Sequence, residues 1–297
     1  MFRPSHLLSP LCCTVAFTLS ALAPAVHAEI TVKSGEKIAF LGDSITQGGW
    51  SNPAGYVRLV VAGLAANGVD AEAVPAGVSG HKSNQMLARL EKDVLSKKPQ
   101  WMTLSCGVND VWHGAKGVPL DDAQATAGQY DIKPGEPDRG TYTKNITAII
   151  GQAKVAGIKP VILTATVIKE DLNSPENGKL APYNAFLRKL AQEKSLPLAD
   201  LNTQFQEKLK SLNPPDKKNV LTTDGVHMNT EGNKLMARGV LQAFGLNAAE
   251  LQKAEASWAP LALQAEEAAK AAAAAKAAKA AAESAAKAGE AQKAPAK

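Results

Sequence analysis

A serine stands directly after an apolar run near the start of the chain. Residues 37–41 (KIAFL) predict a buried strand, and Gly42, Asp43 and Ser44 follow where that strand ends. A serine hydroxyl is a useful nucleophile only when a base removes its proton. A helix-like turn after Ser44 would point backbone N–H groups at the same spot. Ser44 is therefore a candidate nucleophile, although the three residues also fit an ordinary turn.

A histidine and an aspartate late in the chain could supply the base. His227 lies in TTDGVHMNTEG, three residues after Asp224, and Gly225 lets the loop between them bend. This spacing allows the carboxylate to reach Nδ1–H of the imidazole, fix its tautomer and stabilise the imidazolium that forms. The alternative interpretation is a helix-capping loop that carries a solvated histidine.

Two further polar stretches offer hydrogen-bond donors. Acyl transfer places negative charge on a carbonyl oxygen, which preorganised donors must meet. The backbone N–H of Gly80 in AGVSGHKS and the side-chain amide of Asn109 in SCGVND are candidates for this role. Taken singly, Gly80 also fits a turn glycine and Asn109 an Asx turn.

The elements that must position these residues alternate in type along the chain. Short apolar runs predict five strands, at 37–41, 71–75, 101–106, 160–166 and 197–199, with helical periodicity between them. Such alternation predicts an α/β fold, a three-layer α/β/α sandwich around a mainly parallel five-stranded sheet of flavodoxin-like type. Ligands bind beyond the carboxyl ends of such strands. Ser44, Gly80 and Asn109 follow the first three strands, so we expect them at one edge.

Together these stretches resemble the SGNH, or GDSL-type, hydrolases, a family of secreted esterases and lipases. FLGDSIT, Gly80 in AGVSGHKS, GVND and DGVHMN are similar to the family's blocks, occur in the same order and span residues 39–229. The resemblance implies the SGNH hydrolase fold, with no metal and no organic cofactor. It also implies Ser44 as nucleophile, His227 as base, Asp224 as the residue that orients it, and an oxyanion hole of Ser44, Gly80 and Asn109. Pro75 and Ala76 depart from the family pattern, which often opens its second block with asparagine.

Other polar residues near these blocks are weaker candidates. Asp43, His81 and His113 are candidate substrate contacts, although Asp43 could simply steady its turn and His81 could be an ordinary surface histidine. Cys106 ends an apolar strand, and a small buried residue is the better interpretation than a nucleophile. The aspartates at 121, 122 and 131 lack the spacing of a calcium loop.

The two ends of the chain differ from its middle. Residues 1–28 combine Arg3, an apolar stretch and small residues before Ala28, the pattern of a signal peptide. We therefore expect cleavage near Ala28 and a secreted or periplasmic protein. Residues 29–250 form the expected hydrolase domain, with 113–140 as a loop insertion. Residues 251–297 are rich in Ala, Lys and Glu and predict a solvated helix or a disordered tail, a candidate contact for a cell wall or polymer.

Charge and hydropathy narrow the function classes. The net charge is +5, and the signal peptide and the tail hold more than half of it, so no basic stripe indicates nucleic-acid binding. No segment of the mature chain is apolar enough to span a membrane. The resemblance favours an exported serine esterase that releases short acyl groups, such as acetyl, from carbohydrate or small esters. Two alternatives remain open: a non-catalytic module that binds carbohydrate or cell wall, and a thioesterase or acyltransferase.

Overall fold

A computed structural model describes residues 29–127, 130, 139–212 and 219–293. The predicted signal peptide and the residue at 131 lie outside the described residues. Within them, no helix is both long enough and apolar enough to cross a membrane.

The centre of the molecule is a parallel sheet. In the described part of the chain it has five strands: β1 (Lys37–Gly42), β2 (Glu72–Gly77), β3 (Trp101–Ser105), β4 (Lys159–Leu163) and β5 (Leu198–Ala199). Their order across the sheet is β2-β1-β3-β4-β5, and every neighbouring pair is parallel. The predicted fold class is therefore confirmed. β1 and β3 read as continuous apolar runs because helices cover both faces of the sheet.

Helices surround this sheet. They are α1 (Ser44–Ser51), α2 (Tyr56–Ala66), α3 (Ser83–Ala88), α4 (Leu90–Asp93), α5 (Val108–Trp112), α6 (Asp122–Thr126), α7 (Tyr142–Val155), α8 (Pro175–Lys194), α9 (Leu201–Leu212), α10 (Thr230–Ala243), α11 (Ala248–Ala256) and α12 (Ala259–Lys293). The α2 helix packs against α1, α10 and α11, whereas α3 packs against α7 and α5 against α8. The strand ends that face the site are thus held between packed helices.

Several elements differ from the sequence-based expectation. The residues after Asp43 form a complete helix, α1, rather than a helix-like turn. The helical periodicity between the second and third predicted strands corresponds to two short helices, α3 and α4, which meet at Arg89. The 113–140 segment is not wholly irregular: it contains a 3-10 turn (Gly114–Lys116) and α6, which Asp121 caps by accepting a hydrogen bond from Gln124 N–H.

The buried core continues past residue 250, where we expected the domain to end. Leu251, Ala254 and Trp258 are all buried and belong to the main apolar core. The indole Nε1–H of Trp258 donates to the carbonyl of Leu59 on α2 at 2.9 Å. Ala265 in α12 is buried as well, so the folded unit includes α11 and the start of α12.

Candidate active site

The turn between β1 and α1 places Ser44 at the first position of a helix. Asp43 caps that helix, because its Oδ1 accepts from Ile45 N–H at 2.9 Å. Gly42 is required by close packing: a Cβ there would lie 2.0 Å from Thr46 Oγ1. The N–H of Ser44 falls in the first turn, where no intrahelical acceptor exists. Both the hydroxyl and the backbone N–H of Ser44 are thus presented at the carboxyl edge of the sheet.

A line of hydrogen bonds joins Ser44, His227 and Asp224. The Nε2 atom of His227 lies 2.9 Å from Ser44 Oγ, and its Nδ1 atom lies 2.7 Å from Asp224 Oδ2. Because a carboxylate only accepts, Nδ1 carries a proton and Nε2 is left free to accept one from the serine. The structure brings together the three residues that the sequence predicted, although 183 positions separate the serine from the histidine.

Asp224 remains charged in this arrangement. Its other oxygen, Oδ1, accepts from the backbone N–H groups of Val226 and His227 at 3.0 and 2.8 Å. Partial burial raises the pKa of Asp224, but the hydrogen bonds from the backbone and ring of His227 and from Val226 outweigh it, so that the pKa lies below its usual value. A charged carboxylate can orient the imidazole and stabilise its protonated form.

The loop that carries Gly80 is tied to the serine turn. The N–H of Val78 donates to Gly42 O at 3.1 Å, and the N–H of Ser79 donates to Gln47 Oε1 at the same distance. Gly80 itself has a φ of +77°, which favours glycine. The Gly80 loop is thereby held beside the first turn of α1.

Asn109 joins the same group from the end of β3. Its Nδ2 donates to His81 O at 3.2 Å, and its Oδ1 lies 3.1 Å from Nε2 of His113. An amide nitrogen has two hydrogens, so one remains available after the bond to His81. The predicted oxyanion residues thus lie on three neighbouring strand ends that hydrogen bonds connect.

The three candidate substrate contacts occupy different environments. Asp43 is only 2% exposed and serves instead as the cap of α1, which leaves little surface for a substrate to touch. Burial raises its pKa to about 6, with the neighbouring Asp110 adding to the effect. His81 and His113 are more open, and partial burial lowers the pKa of each, assisted by Arg89 at His81 and by Lys82 at His113.

Arg89 connects several of these loops, a role that the sequence did not predict. Its Nη2 donates to Gly42 O and its Nη1 to Ala76 O, both at 2.8 Å. Its Nε donates to Nδ1 of His81 at 3.1 Å, and Asp93 pairs with the guanidinium at 2.9 Å. One side chain therefore fixes the ends of β1 and β2 and the residue after Gly80.

A buried polar cluster is centred on Asp110, the residue that follows Asn109. Asp110 is 1% exposed, and its Oδ1 accepts from both the backbone N–H and the hydroxyl of Ser83, at 3.0 and 2.6 Å. The thiol of Cys106 donates to the other carboxylate oxygen at 3.4 Å. Burial, with Asp110 beside it, raises the pKa of Cys106 well above its usual value, so this buried residue stays a thiol.

The described residues contain no group of three or more His, Cys, Asp or Glu side chains placed to hold an ion. The chemistry available is that of a hydroxyl, an imidazole, a carboxylate and hydrogen-bond donors.

Comparison with known proteins places this chain in a family. The model of the GDSL-like lipase/acylhydrolase family matches residues 40–235. An acetylxylan esterase of Geobacillus stearothermophilus is 29% identical over 231 residues, covering 72% of this chain and 96% of that protein. The chain therefore belongs to the GDSL-like lipase/acylhydrolase family, as its sequence blocks predicted, and is a carboxylic ester hydrolase.

Solved structures agree with this assignment. The acetyl xylan esterase AlAXEase is 32% identical with a TM-score of 0.58, and the match covers 70% of this chain and 98% of that one. Axe2, an acetylxylan esterase from Geobacillus stearothermophilus, is 27% identical with a TM-score of 0.58, and the match covers 73% and 97% of the two chains.

Proposed function

We propose that this protein is an exported serine esterase that removes acetyl groups from acetylated carbohydrate, with xylan-type chains as the favoured substrate. The observation that carries the proposal is the line from Ser44 Oγ through His227 to Asp224, with contacts of 2.9 and 2.7 Å. The substrate class follows from relatives that are acetylxylan esterases. Two solved variants of Axe2, with a serine and an aspartate each changed to alanine, are described as catalytic mutants, which supports serine and aspartate roles here.

The first half of the reaction forms an acetyl-enzyme. Nε2 of His227 takes the hydroxyl proton of Ser44 as Oγ bonds to the ester carbon. The carbonyl oxygen becomes an anion, which the N–H groups of Ser44 and Gly80 and the Nδ2–H of Asn109 stabilise. The bond to the sugar oxygen then breaks, and that oxygen leaves with the proton that His227 held.

The second half releases acetate. Water enters, His227 removes one of its protons, and the hydroxide oxygen attacks the acetyl carbon. The oxyanion forms again at the same donors, the bond to Ser44 breaks, and the serine regains its proton from His227. Asp224 stays ionised throughout and stabilises each imidazolium.

Replacement of the nucleophile tests the proposal. In Ser44→Ala we expect acetate release from acetylated xylooligosaccharides and from p-nitrophenyl acetate to fall by about 10⁴-fold or more, because no acyl-enzyme can form. Ser51→Ala, an exposed serine at the other end of the same helix, is the matched control and should keep full activity. Equal rates for wild type and Ser44→Ala would refute the serine mechanism, and equal rates at the uncatalysed background level would favour a binding module.

Two further measurements define the reaction class and substrate. Aryl esters of rising acyl length should be hydrolysed more slowly than the acetate ester. Addition of a competing alcohol should leave free acetate as the main product, whereas transfer of the acetyl group to the alcohol would indicate an acyltransferase.

The proposed export has its own test. Detection of a mature chain that begins after Ala28 in the exported fraction would support the signal peptide.

A further inference from the structure

The carboxylate of Glu170 binds the segment that leads into the Asp224 loop. Its Oε2 accepts from Val220 N–H at 2.7 Å, and its Oε1 accepts from the N–H groups of Leu221 and Thr222 at 2.9 and 2.7 Å. The hydroxyl of Thr222 also donates to Oε1, at 2.7 Å. Four donors from three successive residues thus converge on one charged group, and such charge-assisted bonds are stronger than neutral ones.

A second contact holds the other side of Asp224. The N–H of Lys169 donates to Gly225 O at 2.8 Å, and Lys169 adopts a left-handed φ of +65°. A Cβ on Gly225 would lie 3.2 Å from Lys169 Cα, so the two backbones approach closely. The hydroxyl of Thr222 accepts from Gly225 N–H at 3.0 Å and closes the group. The Asp224 turn is therefore tied to the chain after β4 both before and after the aspartate.

These contacts matter because packing does little to hold the acid and the base. About half of the Asp224 side chain is exposed, as is 39% of His227. The loop closes on itself through a bridge between Thr222 and Met228, with Thr223 N–H donating to His227 O at 2.8 Å. Anything that fixes Thr222 therefore fixes the backbone from which the imidazole projects.

We propose that Glu170 is a positioning residue for His227: its carboxylate fixes residues 220–222 and so sets the reach of the imidazole to Ser44. This inference rests on the proposed function. Glu170 touches none of the reacting atoms. The expected cost of losing it is large because a misplacement of about 1 Å at a catalytic group can lower a rate by about 10²-fold.

Two substitutions at position 170 test the role through kcat and KM for p-nitrophenyl acetate. In Glu170→Ala we expect kcat to fall by about 10²-fold with KM within about twofold, because substrate contacts are unchanged. Glu170→Gln should lose about 10-fold, since one oxygen still accepts while its NH₂ group opposes Val220 N–H. Glu193→Gln, which alters an exposed carboxylate paired with Lys189, is the control and should match wild type.

A double-mutant cycle separates positioning from general destabilisation. If Glu170 acts through His227, then Glu170→Ala in a His227→Ala background should cause no further loss of kcat. Losses that multiply would overturn the proposal. The proposal would also be overturned if Glu170→Ala had the wild-type kcat once its rate is divided by the concentration of folded protein, which circular dichroism measures. Ser44→Ala is assayed alongside: activity retained there would refute the proposed function itself, whereas an inactive Ser44→Ala with a fully active Glu170→Ala would refute only the positioning role.

A milder variant decides the question if Glu170→Ala does not fold. Thr222→Val keeps the charged carboxylate but removes the hydroxyl that links Glu170 to Gly225. We expect kcat to fall by about 10-fold with KM unchanged, and labelling of Ser44 by a fluorophosphonate to slow by the same factor, because that reaction also requires His227 as base. Unchanged labelling in both Thr222→Val and Glu170→Gln would overturn the proposal.

Discussion

The amide of Asn109 is oriented by two histidines that act in different ways. His113 donates from Nε2 to Oδ1 at 3.1 Å, and the backbone carbonyl of His81 accepts from Nδ2 at 3.2 Å. Since Oδ1 can only accept, the neutral form of His113 carries its proton on Nε2. Both contacts favour the same orientation of the amide, with Nδ2 toward His81 and Oδ1 toward His113. The second N–H of Nδ2 is left for a substrate oxyanion. His113, predicted as a candidate substrate contact, therefore orients Asn109, the proposed oxyanion donor.

This arrangement predicts the effect of removing His113. Asn109→Ala should lower kcat by about 10²- to 10³-fold through loss of an oxyanion donor. His113→Ala should cost about 10-fold, because the amide then samples other orientations, and His113→Gln should recover most of it by donating from its own amide. We expect the double variant to be no slower than Asn109→Ala. A double variant whose loss equals the product of the two single losses would show that His113 acts elsewhere.

Asp43 should make stability depend on pH. Burial raises its pKa from 3.8 to about 6, so between these values the native state binds more protons than the unfolded chain. Stability therefore falls as pH rises through this window, and the whole penalty of a buried charge is present above pH 6. Asp43→Asn keeps an oxygen for Ile45 N–H without the charge. Its Tm should exceed that of wild type at pH 7.5 by more than at pH 4.5; an equal difference at both values would contradict the prediction.

For single residues, the sequence predicts the side chains proposed to take part in the chemistry, but it does not predict the residues that fix the position of those side chains. Ser44, Asp224 and His227 are readily predicted, because acyl transfer needs these residue types in short, ordered stretches. Arg89 and Glu170 have no such pattern. Their partners are mostly backbone groups far away along the chain, and Glu170 lies 50 residues before the first N–H it binds. Charged side chains in polar stretches also resemble ordinary solvated surface.

Local helix propensity explains which elements could be predicted. The α1 helix contains two glycines and lacks a strong helical pattern, so the Asp43 cap and tertiary packing must form it. Gly49 leaves room for Tyr56: a Cβ there would lie 2.5 Å from the ring. The start of the α11 helix has a sequence signature of its own, since Asn247 and Glu250 form a reciprocal capping box.

The packing of α11 and of Trp258, which follows it, on α2 predicts a stability effect. Trp258 is 2% exposed and makes its indole hydrogen bond to Leu59. Trp258→Ala should lower the free energy of unfolding by about 3–5 kcal/mol, as expected for a buried aromatic side chain. Leu263→Ala, at a position that is 57% exposed on the α12 helix that follows, is the control and should change it by no more than about 0.5 kcal/mol. Urea unfolding measures both, and equal losses would contradict the packing argument.

At the scale of the whole molecule, the α12 helix has two parts. Trp258 immediately before the helix and Ala265 near its start are buried, whereas the described side chains from Glu266 to Ala282 are all exposed. The helix has 35 residues, so its length is about 50 Å at 1.5 Å per residue. Alanine has the highest helix propensity, and this propensity rather than packing accounts for the exposed part.

Two truncations separate these parts. A chain that ends at Glu267 keeps every buried side chain that the structure describes, so its Tm and its kcat on a soluble acetate ester should equal those of the full chain, while its helical circular dichroism falls. A chain that ends at Glu250 loses Leu251, Ala254 and Trp258 from the core, and loss of a buried leucine or tryptophan side chain costs about 2–5 kcal/mol. Its Tm should fall by well over 10 °C if it folds at all. Equal stability of the two truncated chains would mean that the core ends at residue 250 after all.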